Sequence, residues 1–328
     1  MFDDALLDDP AALAARGERL RWLALAGARL RQEDTEDGAS VATSLALTSP
    51  RSVLLIGEEA RLVRTLVEPH CPVPCVAWPL SVLPPWAGPL DFVIVLAGTD
   101  SGPLATCLEA IRRGAVVFVV APQGSPILDA AGPAAAWVTA GDDPFVAALL
   151  ALKTLATLGL GPGFTLEAAA DVLDCVAEEC GPRYGLEVNP AKNLACALAD
   201  AVPLVWGSTA PAARAAGRVA AALRAATGLP GFAADVAGLL PLVATAPVRD
   251  VFADPFEDGV TRPAFCLLGL DDGEDPVGGA ELERLALDRG VRAETIRFAH
   301  DNPVLRYAGL TQHGLFAAAY LGLATIKE

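Results

Sequence analysis

Short apolar runs that end in glycine or proline, each followed by a stretch of helical periodicity, constrain this chain more than any other feature. SVLLIG (52–57), DFVIVLAG (91–98) and AVVFVVAP (115–122) are such runs, with VPCVAW (73–78) between the first two and AAAWVTA (134–140) after the third. Continuous apolar segments of about four to eight residues are what strands buried on both faces look like. The intervening segments, through Arg64 and Val67 and over SGPLATCLEAIRRG (101–114), have helical spacing. Strands alternating with helices of this length predict parallel βαβ units with right-handed crossovers. The alternation then restarts. VPLVWGS (202–208) precedes an alanine-rich helix over 210–226, PAFCLLGL (263–270) precedes a helix over 281–289, AETIRF (293–298) is a further strand, and 303–324 is a long closing helix. The expected fold is α/β, with two Rossmann-like halves, each a parallel sheet flanked by helices in a three-layer αβα arrangement, as in an internal pseudo-duplication.

The rest of the chain frames these halves. Leu13, Leu20, Leu23, Leu25 and Leu30 recur at helical spacing, with Asp9 as N-cap and Pro10 in the first turn, and predict one N-terminal helix. An acidic loop (32–38) and a second helix reaching Ser49 follow it. Three helices, over 144–158, 166–180 and 189–199, form a bridge between the halves. The expected organisation is N-terminal helices at 1–50, a first subdomain at 51–160, a helical bridge at 161–200 and a second subdomain at 201–328. A length of 328 residues fits two domains.

With 53% hydrophobic and 20% charged residues the chain can bury large cores. A mean hydropathy of +0.43 raises a membrane question. The charge-free run 71–90 carries Pro72, Pro74, Pro79, Pro84, Pro85 and Pro89, which rule out a spanning helix there. The N-terminus opens with acids and has no basic region followed by an apolar core, so the expected location is the cytoplasm. Seven scattered cysteines without CxxC spacing read as reduced thiols, most simply as small buried hydrophobes. With His70, His300 and His313 as the only histidines, no metal site is expected. A net charge of −16, with Lys153, Lys192 and Lys327 the only lysines, makes nucleic acid an unsuitable partner.

In doubly wound sheets ligands bind beyond the carboxyl ends of strands, where loops enter helix N-termini. Three segments occupy such places. Gly57 is followed by Glu58 and Glu59, whose charge opposes a phosphate, and reads as an altered phosphate loop. AGTDSG (97–102) offers Thr99, Ser101 and Gly102 as a phosphate cradle, or as helix caps. WGST (206–209) places Ser208 and Thr209 at the equivalent point of the second half, with the same two readings. No GxGxxG after a strand, no GxxxxGK[ST] and no GxSxG occurs. The acid–base candidates are His300, between a strand and the last helix, His313 within that helix, and Glu178 and Glu179 on a bridging helix. His300 is the preferred one, against a capping or solvated role.

PPWAGPLDFVIVLAG, AIRRGAVVFVVAP, NPAKNLA, PLVWGS and FAAAYLGLA together resemble the sugar isomerase (SIS) superfamily, and within it the bifunctional phosphoglucose/phosphomannose isomerases of the divergent actinobacterial branch. NPAK, with Asn189 and Lys192, and the segment ending at Ser208 are its more specific parts. The resemblance implies two SIS subdomains, a homodimer with the active site between them, and no metal or organic cofactor. It also implies aldose–ketose exchange between glucose 6-phosphate or mannose 6-phosphate and fructose 6-phosphate.

The chain departs from that pattern at each chemical position. Gly57-Glu58-Glu59 stands where the family has a glycine-serine-rich loop, and in the Ser-Tyr-Ser-Gly-Asn-Thr loop only Thr99 keeps a hydroxyl in register. Ala225 and Ala226 stand where the family has a catalytic Glu followed by Asn. Leu240, Pro241, Leu242 and Val243 fall at the stretch that supplies the ring-opening histidine, and Leu315 at a usual acidic residue. The leading expectation is a protein that keeps the SIS fold and binds a sugar phosphate or related metabolite, with base and acid lost. The alternatives are an active isomerase using relocated groups such as His300, and a non-catalytic regulatory partner of another protein.

Overall fold

The first sheet begins the regular part of the chain, after three short helices, α1 (Pro10–Arg16), α2 (Glu18–Ala24) and α3 (Ala26–Gln32). The computed structural model describes residues 2–33, 49–80, 82–98, 102–141, 143–246, 264–274 and 279–325. The single N-terminal helix expected from the leucine spacing is therefore three helices. Gly17 ends α1, its N–H bonding back to Leu13 O, and Leu25 ends α2 in the same way on Arg21 O. The second expected helix, ahead of Ser49, lies outside the described residues.

There follow β1 (Ser52–Gly57), α4 (Ala60–Val67), β2 (Cys75–Trp78), β3 (Asp91–Leu96), α5 (Leu104–Arg112), β4 (Val116–Ala121), α6 (Pro126–Ala131), β5 (Ala136–Thr139) and α7 (Pro144–Thr157). The strands form a wholly parallel sheet in the order β2-β1-β3-β4-β5. On one face Leu54, Ile56, Val93, Val95, Val117 and Val119 are covered by α5 and α6 through Cys107, Ala110, Ile127 and Ala131. The alternate residues face the opposite way, where α4 meets α7. At the amino ends of β1 and β3 the buried Asp91 carboxylate accepts from Arg51 Nη2 at 2.6 Å, Ser52 Oγ at 2.8 Å and the Gly88 N–H at 2.9 Å. Burial alone would raise its pKa, but these donors outweigh burial and hold it below the usual value.

After α8 (Leu166–Glu179) and α9 (Pro190–Leu198) come β6 (Ala201–Gly207), α10 (Ala210–Thr227), β7 (Phe232–Ala233), α11 (Val236–Ala244), β8 (Ala264–Asp271), α12 (Gly279–Asp288), β9 (Arg292–Arg297) and α13 (Pro303–Ala324). The second sheet is also wholly parallel, in the order β7-β6-β8-β9. Leu204, Trp206 and Leu267 pack under Leu239, Val243, Leu282 and Ala286 of α11 and α12. α10 covers β6 and packs along α13. Two parallel sheets flanked by helices make the three-layer α/β fold read from the sequence, with β7, α11 and α6 as elements the sequence did not announce.

Several helices start in one way, an Asx residue followed by proline. Asp9, Asp143, Asn189 and Asn302 each accept the N–H two residues on, while the proline occupies a first-turn position that needs no donor. The chain divides into two compact units, Ala28–Ala170 and Met1–Gly27 with Asp171–Glu328, with the cuts falling inside α3 and α8.

Candidate functional site

In the sheet order β2-β1-β3, the chain leaves β1 to one side and then returns to the other, so the loops after β1 and β3 diverge and leave a crevice. A cleft of about 810 Å³ lies there, entirely within the unit Ala28–Ala170. Its base is the end of β1. Gly57 has φ +114°, and a Cβ on it would lie 1.8 Å from Leu96 O, so only glycine lets β1 run this close to β3. Gly98 and Gly102 line the side where α5 begins, which adds helix N–H groups to the rim.

The cleft's charged lining is acidic. Glu58 is exposed and has no partner among the described residues, and Glu59 follows it. Asp143 also lines the cleft, but its carboxylate caps α7 through the Phe145 N–H at 3.0 Å and meets Arg29 Nη2 at 3.5 Å. Trp78 forms part of the wall, with its indole N–H donated to Val82 O at 2.7 Å. Of the phosphate-cradle residues expected from the sequence, Gly102 lines this cleft, while Thr99 and Ser101 lie outside the described residues. Sequence reasoning alone does not find Glu58 and Trp78 as lining. In the sequence Glu58 reads as opposing a phosphate, and Trp78 as the end of a strand.

At the equivalent point of the second sheet, between β6 and β8, a carboxylate of the chain takes up the hydroxyls. Ser208 Oγ donates to Asp272 Oδ1 at 3.1 Å, and Thr209 Oγ1 donates to Asp272 Oδ2. Asp272 is 2% exposed. Thr209 also caps α10 by accepting the Ala212 N–H at 3.3 Å. A phosphate at Ser208 and Thr209 would have to displace a buried carboxylate.

Asn189 and Lys192 are both fully buried. Asn189 Oδ1 accepts the N–H groups of Ala191 and Lys192, and its Nδ2 donates to Gly181 O at 2.9 Å. Lys192 Nζ donates to Asp8 Oδ1 at 2.5 Å and Tyr184 O at 2.7 Å, and lies 5.4 Å from the centre of the Tyr320 ring. The bond from Lys192 holds Asp8 below the usual carboxylate range. NPAK here caps α9 and ties the N-terminal segment to it.

The acid–base candidates have local tasks. His300 is exposed, and its Nδ1 accepts the Asn302 N–H at 3.0 Å ahead of α13. His313 lies between Gly309 O, 2.9 Å from Nδ1, and Glu179 Oε2, 3.3 Å from Nε2. Glu178 pairs with Arg183 at 2.5 Å. The positions where the resemblance puts a catalytic Glu, the Asn after it and a usual acidic residue lie together. Ala225, Ala226 and Leu315 line one groove of about 570 Å³, whose charged lining residues are Arg16 and Arg19. Leu240 to Val243 belong to α11, with Val243 in the core.

No family model matches the sequence, and no curated protein matches it. Solved structures do. Tagatose-6-phosphate ketose/aldose isomerase from Escherichia coli superposes with a TM-score of 0.68 at 13% identity, over 94% of this chain and 94% of that one. A glucose-6-phosphate isomerase like protein from Thermus thermophilus superposes with a TM-score of 0.54 at 15% identity, over 89% of each chain. At these identities the likeness is one of fold, two parallel sheets flanked by helices, and of nothing finer.

Proposed function

We propose that the chain binds a sugar phosphate or a related metabolite in the cleft at the carboxyl ends of β1 and β3, without aldose–ketose turnover. The observation that carries the reading is the cleft itself. It is a crevice of about 810 Å³ at the point where strand order reverses, with glycines at the strand ends and a helix N-terminus on its rim. The phosphate would meet Gly102 and the start of α5, and the sugar hydroxyls the side of Glu58. Loss of turnover is supported by the groove at Ala225, Ala226 and Leu315, which has no carboxylate among its described lining residues. The SIS resemblance adds a cytoplasmic homodimer to this reading.

Thermal unfolding with fructose 6-phosphate, glucose 6-phosphate or mannose 6-phosphate tests binding, run beside a coupled assay for their interconversion. A ligand at a hundredfold its Kd stabilises by about 2.7 kcal/mol, a readily measured rise in Tm. No rise with any of the three would overturn the binding, and turnover above a blank would overturn the non-catalytic part. One observation favours an active enzyme as second reading. Glu58 lines the cleft and is of a type able to move a proton between C1 and C2. Turnover removed by Glu58→Gln would establish it.

A further inference from the structure

We infer that the outer edge of the first sheet, at β5, pairs with β5 of a second copy of the chain about a two-fold axis at Trp137. The inference is independent of the cleft and of what it binds.

β5 pairs with β4 on one side and with no described strand on the other. The phase of its backbone follows from the bond of the Ala140 N–H to Ala121 O. Along a strand, successive residues direct their N–H and C=O groups to opposite sides. Ala136, Val138 and Ala140 therefore face β4, and Ala135, Trp137 and Thr139 present theirs outward. Ala135 extends the strand, with φ −129° and ψ 148°. An open row of this kind is a template for another strand. The other sheet edges are blunted. β7 has two residues, β9 carries Arg292, Glu294 and Arg297, and none of the residues of β2 is exposed. β5 has none of these protections. Trp137 is 46% exposed, and no charged residue lies between Asp129 and Asp142.

Two features make the same strand its fitting partner. The first is symmetry. The outward row is centred on Trp137, with Ala135 and Thr139 on either side. In an antiparallel two-fold pairing Trp137 exchanges both backbone bonds with the partner's Trp137, and Ala135 exchanges both with the partner's Thr139. Hydrogen-bonded pairs of this type stand about 5.5 Å apart at Cα, so the two indoles lie side by side on one face and cover each other. A tryptophan at the centre of a patch is the residue type that anchors interfaces. The second feature is charge. At −16, copies of this chain repel one another, and the uncharged stretch between Asp129 and Asp142 lets two of them meet without opposing like charges. A strand from another protein would meet the same backbone row but not the two-fold match.

Analytical ultracentrifugation of the full chain over about a hundredfold range of concentration tests this, beside Thr139→Pro and Trp137→Lys. Thr139→Pro removes an outward N–H that β4 does not use, a change an edge strand tolerates. Trp137→Lys sets like charges opposite each other at the axis. Both variants should match the parent in circular dichroism and weaken its association about tenfold or more, Trp137→Lys the more strongly. Amide exchange in peptides covering 133–141 should slow with rising concentration in the parent and not in Trp137→Lys. An association unchanged in both variants would overturn the inference. So would a parent that is monomeric throughout, which would leave the edge to a strand of another protein. Neither result touches the sugar-phosphate reading.

Discussion

The two sheets make the same turn and use it in opposite ways. In each, the chain leaves the starting strand, β1 or β6, to one side and comes back on the other, which opens a crevice between the outgoing loops. At β1 and β3 that crevice is a cleft. At β6 and β8 Asp272 holds the hydroxyls of Ser208 and Thr209. Both strands end in a glycine that permits close approach. Gly57 does so to Leu96 O, and Gly207, where a Cβ would lie 2.1 Å from Ala212 C, does so to the first turns of α10. Topology therefore opens a crevice twice, and at the second a carboxylate of the chain takes up the hydroxyls at the strand end. The Gly-Ser-Thr turn that the sequence offers as a phosphate cradle lies in the half where Asp272 holds its hydroxyls.

Breaking the Asp272 network should have the largest effect. Asp272→Ala leaves two hydroxyls without their acceptor, and is expected to cost about 2–6 kcal/mol in denaturant unfolding, at ~1–3 kcal/mol for each unsatisfied polar group. Asp272→Asn, which keeps an acceptor, should cost less than half of that. If Asp272→Ala were neutral, the network would be dispensable and the second sheet's crevice as available as the first. Gly57→Ala should cost about 1–3 kcal/mol from backbone strain alone, and more where β1 must move off Leu96. The same change should remove ligand-induced stabilisation, because it displaces the base of the cleft.

The smallest effect is one of pH. The folded pKa of Asp91 is depressed, so its contribution is present above the unfolded value of about 3.9 and is lost as pH falls through the folded value. Comparing Asp91→Asn with the parent in urea should show a difference above about pH 4 that shrinks as the solution is acidified. A difference that grew with acidification would contradict a depressed pKa at Asp91.

Strands were legible because burial on both faces demands unbroken apolar runs, and SVLLIG, DFVIVL and FCLLGL meet that demand whatever their neighbours. Where local pattern and tertiary packing part company, the sequence misled or was silent. The leucines of 13–30 hold one helical spacing, yet Gly17 breaks the helix. β7 is two exposed residues, and α11 contains Pro241, which reads as a breaker. The NPAK segment reads equally as a motif or a cap, and only the positions of Asp8 and Tyr184 show Lys192 to be a buried tie. Ser208 and Thr209 announce hydroxyls, but their partner Asp272 is more than sixty residues away along the chain. The cleft was half legible. Gly57 and Gly102 mark its glycine-bearing rim, but carboxylates beside a strand end argue against a phosphate and not for another ligand.

The central claim is that the β1/β3 cleft, and not the β6/β8 crevice, takes the ligand. Hydrogen–deuterium exchange with and without fructose 6-phosphate, read on peptides covering 57–60, 97–106, 207–212 and 271–274, tests it most directly. The account predicts added protection in the first two and none in the last two. Protection at 207–212 and 271–274 with the first two unchanged would contradict it.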